Sequence, residues 1–136
     1  RNIYVVDLPT LQQQVLTDAH TESQCGLALS LNDQWLATCD EARVVKLWNL
    51  ETLQQHAVFQ GHRSQVSALV FSADSRTLLS SSFDGTVKAW SVISGQFLMD
   101  LHLDSASVSH MALSADDQRL AIVEDKSRVR IYHIAP

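Results

Sequence analysis

The chain has 136 residues, 46% hydrophobic and 18% charged, a balance ordinary for a soluble globular domain and incompatible with wholesale disorder. Its formal net charge is −5 and it has no basic block, so nothing favours a phosphate backbone and a nucleic-acid partner is unsupported. No apolar run approaches the roughly 20 residues of a membrane span, and residues 1–15 lack the basic start and apolar stretch of a signal peptide. The expectation is therefore an intracellular protein, cytoplasmic with a nuclear place also open, and no membrane partner.

In chain order, the first readable element is the apolar run Ile3-Tyr4-Val5-Val6, followed by Asp7 and Leu8. The turn-like segment Leu29-Ser30-Leu31-Asn32-Asp33 then returns as Phe71-Ser72-Ala73-Asp74-Ser75 and again as Leu113-Ser114-Ala115-Asp116-Asp117, at a constant offset of 42 residues. The same offset joins Val6, Trp48, Trp90 and Tyr132, and it superimposes Thr10-Leu11-Gln12-Gln13 on Thr52-Leu53-Gln54-Gln55. The chain divides into the end of one repeat (residues 1–10) and three full repeats (11–52, 53–94 and 95–136), all parts of one domain.

Each repeat reads as four short strands. In the middle one, Val66 to Phe71 is mostly apolar, Thr77 to Ser81 is a second run, Thr86 to Val92 alternates, and Gln96 to Leu101 follows Ser94-Gly95. Ser72-Ala73-Asp74-Ser75 and Asp84-Gly85 are tight-turn sequences, in which Asp bonds its own backbone and Gly takes positive φ. No capped amphipathic stretch of helical length occurs, and the fold class is all-β.

Along the alternating strand, Val45 and Leu47, Val87 and Ala89, and Val129 and Ile131 face one way. Lys46 and Trp48, Lys88 and Trp90, and Arg130 and Tyr132 face the other. Apolar side chains on one face and a long cation beside an aromatic on the other describe a sheet covered on both sides. The repeated cation is read as a stem packed on a neighbouring sheet with its head in water, rather than as a stripe for phosphates.

The segment from Gly61-His62 through Phe71-Ser72-Ala73-Asp74 and Ser82-Phe83-Asp84-Gly85 to Trp90 resembles a nearly complete WD repeat, whose glycine-histidine start and tryptophan end it shares. The likeness extends over essentially the whole chain. Trp90-Ser91, Trp48-Asn49 and Tyr132-His133 depart from the tryptophan-aspartate ending, and Val6-Asp7 keeps only the aspartate. The resemblance implies β-propeller blades, four-stranded antiparallel sheets stacked around an axis. It also implies a buried hydrogen-bonded set in the middle repeat: Asp84 accepting from His62, His62 contacting Ser82, and Ser82 accepting from the Trp90 indole. The first repeat retains His20 and Trp48 but carries Asp40 and Ala42 at the other two places. The third, with Asp104, Glu124, Lys126 and Tyr132, lacks the set.

No enzyme is expected. A hydrolytic use of Ser, His and Asp would require an exposed serine and oxyanion donors, and there is no Gly-x-Ser-x-Gly elbow. The six histidines form no pair at metal-ligand spacing with acidic or thiol companions. By the same resemblance the strand of His110 lines the central channel, which implies that His110, equivalent to Gly26 and Ala68, is a polar residue facing it. Cys25 and Cys39 lack the close doublets of metal or disulfide frameworks and are read as buried free thiols. The glycines form no phosphate-binding loop, and no cofactor is expected.

Surface recognition remains. Members of the resembled family usually dock partners on one loop face, which maps here to His20 and Glu22, Glu41 and Arg43, Arg63 and Ser64, Phe83, and Asp125 and Lys126. Phe83 has two readings of equal standing: a binding aromatic beside Arg63, or a cover folded over Trp90 or the adjacent loop. The function expected is a non-catalytic scaffold holding a protein or peptide partner. The alternatives are a regulatory or assembly domain of a larger enzyme or NTPase, and a ring built from several copies. About three blades make a partial ring, so the remaining blades are expected either from a longer parent chain, which the leading partial repeat and the absent initiating Met favour, or from other copies.

Overall fold

The structure is a computed structural model that describes residues 1–134, the side chains of Gln24 and Cys25 excepted. Among these residues there are thirteen strands and no helix. Strands β1 (Ile3–Val6) and β2 (Gln13–Leu16) form an antiparallel pair. Strands β3 (Gln24–Leu29), β4 (Trp35–Asp40), β5 (Val45–Asn49) and β6 (Gln54–Phe59) form a four-stranded antiparallel meander, repeated by β7 (Val66–Phe71), β8 (Thr77–Ser82), β9 (Thr86–Ser91) and β10 (Phe97–His102). Strands β11 (Val108–Leu113), β12 (Arg119–Glu124) and β13 (Arg128–His133) make a three-stranded sheet. The inner strands β3, β7 and β11 neighbour one another, which arranges the sheets as partial propeller blades about a common side. Strand β2 lies in the repeat at 11–52 but pairs with β1, so each sequence unit opens with the outer strand of the preceding sheet.

The turns that close the first hairpin of each sheet are copies of one another. Asp33, Ser75 and Asp117 take left-handed φ of 59°, 60° and 57°. In each, a serine hydroxyl donates to the carbonyl or carboxylate oxygen two residues on, Ser30 to Asn32, Ser72 to Asp74 and Ser114 to Asp116, and accepts the amide that starts the next strand. Short polar side chains substitute for backbone partners and make the reversal independent of the rest of the fold. The inner strands repeat their irregularity too, with register shifts at Gln24/Gly26, Val66/Ala68 and Val108/His110.

The core lies between sheets. Trp35, Leu47 and Phe59 of the first full sheet meet Phe71, Leu78 and Trp90 of the second, with Phe59 stacked on Trp90 at 4.9 Å between ring centroids. Leu16, Leu36 and Trp48 seal the junction before it, and Val87, Val108, Leu120 and Ile122 the one after. Each buried Val or Leu contributes about 1.5–3 kcal/mol. The prediction that both faces are covered holds for the two full sheets and fails for β13: Val45 is 1% exposed whereas its equivalent Val129 is 67% exposed. The outer face of β13 meets no further sheet among the described residues, and Tyr4 and Val6 at the other end are exposed for the same reason.

Cys39 corrects the free-thiol expectation, because it is disulfide-bonded. It pairs across the sheet with Gly26, and the missing side chain there leaves room for the Cys39 sulfur, which would sit 3.4 Å from an added Cβ. The expectation for the Cys25 side chain lies outside the described residues.

Neighbouring sheets also approach through backbone. Gly85 has φ +80°, and a Cβ there would collide with the carbonyl oxygen of Ser105 in the next loop. Its equivalent Arg43 adopts φ 69°, so the closeness of Ser105, more than the dihedral, demands glycine. Gly85→Ala is expected to lower unfolding stability by about 2 kcal/mol in urea titration. An unchanged midpoint would show that the loop yields without cost.

Candidate functional site

The site is the end of the sheets where β2, β6 and β10 hand over to β3, β7 and β11, together with the polar groups buried beneath. At this end the hairpin turns at 41–44, 83–85 and 125–127 lie beside the incoming loops. Equivalent amides stitch them together: Glu41 N–H donates to the Ser23 carbonyl, Phe83 N–H to Gln65 and Asp125 N–H to Ser107. Adjacent sheets are joined by the Arg43 guanidinium donating to the Arg63 carbonyl at 3.1 Å and by Leu103 N–H donating to Gly85. The result is a continuous hydrogen-bonded rim.

Beneath the rim of the second full sheet lies the predicted polar set, with one member corrected. Trp90 Nε1 donates to Ser80 Oγ at 2.8 Å, Ser80 Oγ lies 2.8 Å from His62 Nε2, and His62 Nδ1 lies 3.2 Å from Asp84 Oδ2. The serine is Ser80, not Ser82. Trp90 pairs with Leu78 and Ser80 with Lys88, so Ser80 is the nearest hydroxyl on the indole's face of the sheet. Ser82 lies a further pleat along, roughly 6.6 Å, and cannot reach the indole. Ser82 Oγ instead accepts the Asp84 amide at 3.1 Å and lies 3.0 and 2.9 Å from the carbonyls of Ser64 and Gln65.

The first full sheet holds a complete set where only two members were expected. Trp48 Nε1 donates to Thr38 Oγ1 at 3.0 Å, Thr38 Oγ1 is 2.7 Å from His20 Nε2, and His20 Nδ1 is 2.8 Å from Asp40 Oδ2. Asp40 occupies the place of Ser82, two residues before Ala42, and a carboxylate has the reach to meet the imidazole from there. The third sheet lacks this set, as expected, and buries another. Tyr132 O–H donates to Glu124 Oε1 at 2.9 Å, Arg130 Nη1 donates to the Tyr132 oxygen at 3.2 Å, and Arg130 Nη2 lies 3.4 Å from Glu124 Oε2.

Burial lowers the His62 pKa from its ordinary value of 6.5, and Asp84 only partly restores it; His20 is lowered by burial in the same way against the opposing pull of Asp40. Burial works to raise Asp84, but the Thr86 hydroxyl, the Arg63 amide and His62 together hold it below the usual carboxylate value. A neutral imidazole donating from Nδ1 to the carboxylate must accept at Nε2, so the serine or threonine hydroxyl donates there and takes the indole N–H on its oxygen. With Ser80 fully buried, no substrate carbonyl reaches it, and the Ser-His-Asp geometry here is structural.

The predicted loop-face residues are placed unevenly. His20 is withdrawn from the face: it is 1% exposed, turned inward by its bonds to Asp40 and Thr38. Glu22, Glu41, Arg43, Arg63, Asp125 and Lys126 are exposed at this end, and Ser64 is half-buried. Arg43 and Arg63 come together beside a cleft of about 420 Å³ that also takes in Gln60 and Gly61. Asp125 is turned to its own loop, accepting the Ser107 amide at 3.2 Å. Phe83 keeps 36% exposure, and the ring partners of Trp90 are Phe59 and Phe97. His110 is exposed on β11, with Ser109 Oγ 3.3 Å from its ring. Among the described residues no group of three or more His, Cys, Asp and Glu side chains is placed to hold a metal ion.

Two outcomes follow from these sets. Ser80→Ala leaves both the indole N–H and His62 Nε2 unpaired and is expected to cost about 2–4 kcal/mol, against about 1–2 kcal/mol for Ser82→Ala, in parallel denaturant titrations. Equal losses would return Ser82 to the set. Because the folded pKa values of His20 and His62 lie below 6.5, the unfolded chain binds more protons, and stability is expected to fall as pH drops from about 6.5 through the folded values. NMR titration of the two rings checks this, and a midpoint at or above 6.5 for either contradicts it.

The description "WD domain, G-beta repeat" belongs to the family model that matches residues 11–49 and 53–91, together more than half of the chain. Among solved structures, "Crystal Structure of Mitotic Checkpoint Complex" is similar at TM-score 0.88 and 20% identity, over 98% of this chain and 41% of that one. "Crystal structure of WD40 beta propeller domain of Doa1" is similar at TM-score 0.75 and 20% identity, over 87% of this chain and 39% of that one. The chain thus spans about two fifths of the length of each. No curated protein matches it in sequence. The 42-residue period, the four-stranded sheets, the buried indole–hydroxyl–imidazole–carboxylate sets and the matched model agree, and the chain belongs to the WD40 repeat family.

Proposed function

We propose that this chain is a non-catalytic scaffold that binds a protein or peptide partner through its rim of loops. The observation that carries the reading is Phe83, a large apolar side chain held 36% exposed in a turn whose backbone is anchored to the loop bearing Arg63. An aromatic presented by a rigid backbone loses little entropy on binding, and a neighbouring arginine adds directional hydrogen bonds, the usual composition of an interaction hot spot. Arg43 and Arg63 beside their cleft suit a partner that sets an acidic side chain next to an apolar one. Glu22 and Glu41 keep the rim mixed in charge, which favours a peptide or protein over a polyanion. The WD40 family is generally non-catalytic, and the burial of Ser80 supports the same reading for this chain.

Affinity capture with the wild-type chain, Phe83→Ala, Arg63→Ala and the opposite-end control Gln34→Ala tests the reading. The first two substitutions leave the backbone bonds of the rim intact and are each expected to weaken capture of a specific partner by about tenfold or more, while Gln34→Ala retains it. Partners captured equally by all four would place the binding surface elsewhere.

A further inference from the structure

The cleft of about 420 Å³ between the first and second full sheets is lined by Arg43 and Arg63, with Gln60 and Gly61, and by no carboxylate. That lining is unusual in a chain whose net charge is −5. Arg43 commits one nitrogen, Nη1, to the Arg63 carbonyl at 3.1 Å, and its other donors are unused among the described residues. The Arg63 guanidinium donates no hydrogen bond among these residues, and neither arginine belongs to an ion pair there.

Packing does not call for this pair. Side chains that packing dictates recur at the 42-residue offset, as Lys46 and Lys88 do. The equivalents of Arg43 and Arg63 are Arg1 and Thr21 at the junction before, and Gly85 and Ser105 at the junction after. Arg43 also stands at φ 69°, a left-handed conformation that Gly85 adopts freely in the next sheet and that a residue bearing a Cβ enters at a cost. The turn carries that strain and holds a guanidinium across the junction.

We infer that this cleft takes a phosphoserine of a partner peptide, bound by both arginines. The inference rests on the loop-rim reading above and names the group that the rim recognises. A carboxylate has two oxygens and one charge, so a single arginine fork satisfies it and leaves the second arginine idle. A phosphodiester of a nucleic-acid backbone likewise offers two free oxygens and one charge. A phosphomonoester carries three free oxygens and a charge of about −1.5 to −2 at neutral pH, which matches two forks. Gln60 adds a side-chain amide to the same lining. The turn bearing Phe83 is bonded to the Gln65 carbonyl, two residues beyond Arg63, so its exposed ring serves an apolar residue flanking the phosphoserine.

The probes are three short peptide libraries with degenerate flanks, centred on phosphoserine, serine or glutamate, passed over the immobilised full chain. The phosphoserine library is expected to be retained at least about tenfold better than the other two, with apolar residues enriched beside the phosphoserine. Arg43→Gly and Arg63→Ala should each remove most of that preference. Arg43→Gly should do so without lowering the urea midpoint, because glycine occupies the left-handed turn without strain. Retention of none of the libraries, equal retention of all three, a preference that survives both substitutions, or equal competition by a single-stranded oligonucleotide would each overturn the inference. Peptides retained regardless of phosphate yet lost with Phe83→Ala would sink this inference alone and leave the rim reading standing.

Discussion

A β-sheet with apolar residues on both faces is stable only when both faces are covered, and nearly every feature of this protein follows from that requirement. It explains why Val45 and Val87 are buried while Val129, in the same repeat position, is exposed. It sets the ammonium groups of Lys46 and Lys88 over aromatic rings, 5.9 Å from the Trp48 centroid and 5.4 Å from that of Phe97, while each also bonds an oxygen, the Ala19 carbonyl and the Asp100 carboxylate respectively. It also accounts for the groove beside β13, where, among the described residues, no strand covers the surfaces that are buried at the preceding junction.

The polar sets solve the second problem that stacking creates. Bringing the inner ends of two sheets together buries an indole N–H and an imidazole, and each would cost free energy if left unpaired. A relay from indole to hydroxyl to imidazole to carboxylate satisfies all of them in one line, and the carboxylate ends at the rim, where Asp84 also accepts the Arg63 and Thr86 amides. The backbone of the exposed Arg63 is thereby attached to the buried Trp90 through a chain of hydrogen bonds. In the third sheet, Ile122 stands where Ser80 and Thr38 stand in the others, so that hydroxyl is missing; Tyr132 donates to Glu124 Oε1 instead, and Glu124 Oε2, buried without a hydrogen bond, has only the ion-pair contact with Arg130 at 3.4 Å.

Much of this was legible beforehand. The strands of the middle repeat appear within a residue of the positions read from alternation and turn residues, because turns such as Ser72-Ala73-Asp74-Ser75 close through their own side chains. The hydroxyl of the polar set was misread because Ser80-Ser81-Ser82 offers three candidates. The repeat itself held the missing signal, since the 42-residue offset aligns Ser80 with Thr38 and Ser82 with Asp40. That alignment also points to Asp40 as the carboxylate of the first set, freeing Ala42 from the role. The family resemblance maps His20 to the loop face, yet its contacts with Thr38 and Asp40 come from strands closed only in the folded sheet.

The sequence alone determined the repeat, its strands and turns, and which residue types recur at each position, because these depend on side-chain alternation and on bonds spanning a few residues. Tertiary structure decided which hydroxyl meets the indole, which carboxylate meets each imidazole and which members of the rim remain exposed. Those outcomes depend on cross-strand register and on the approach of one sheet to the next, distances between residues far apart in the chain that no local pattern records.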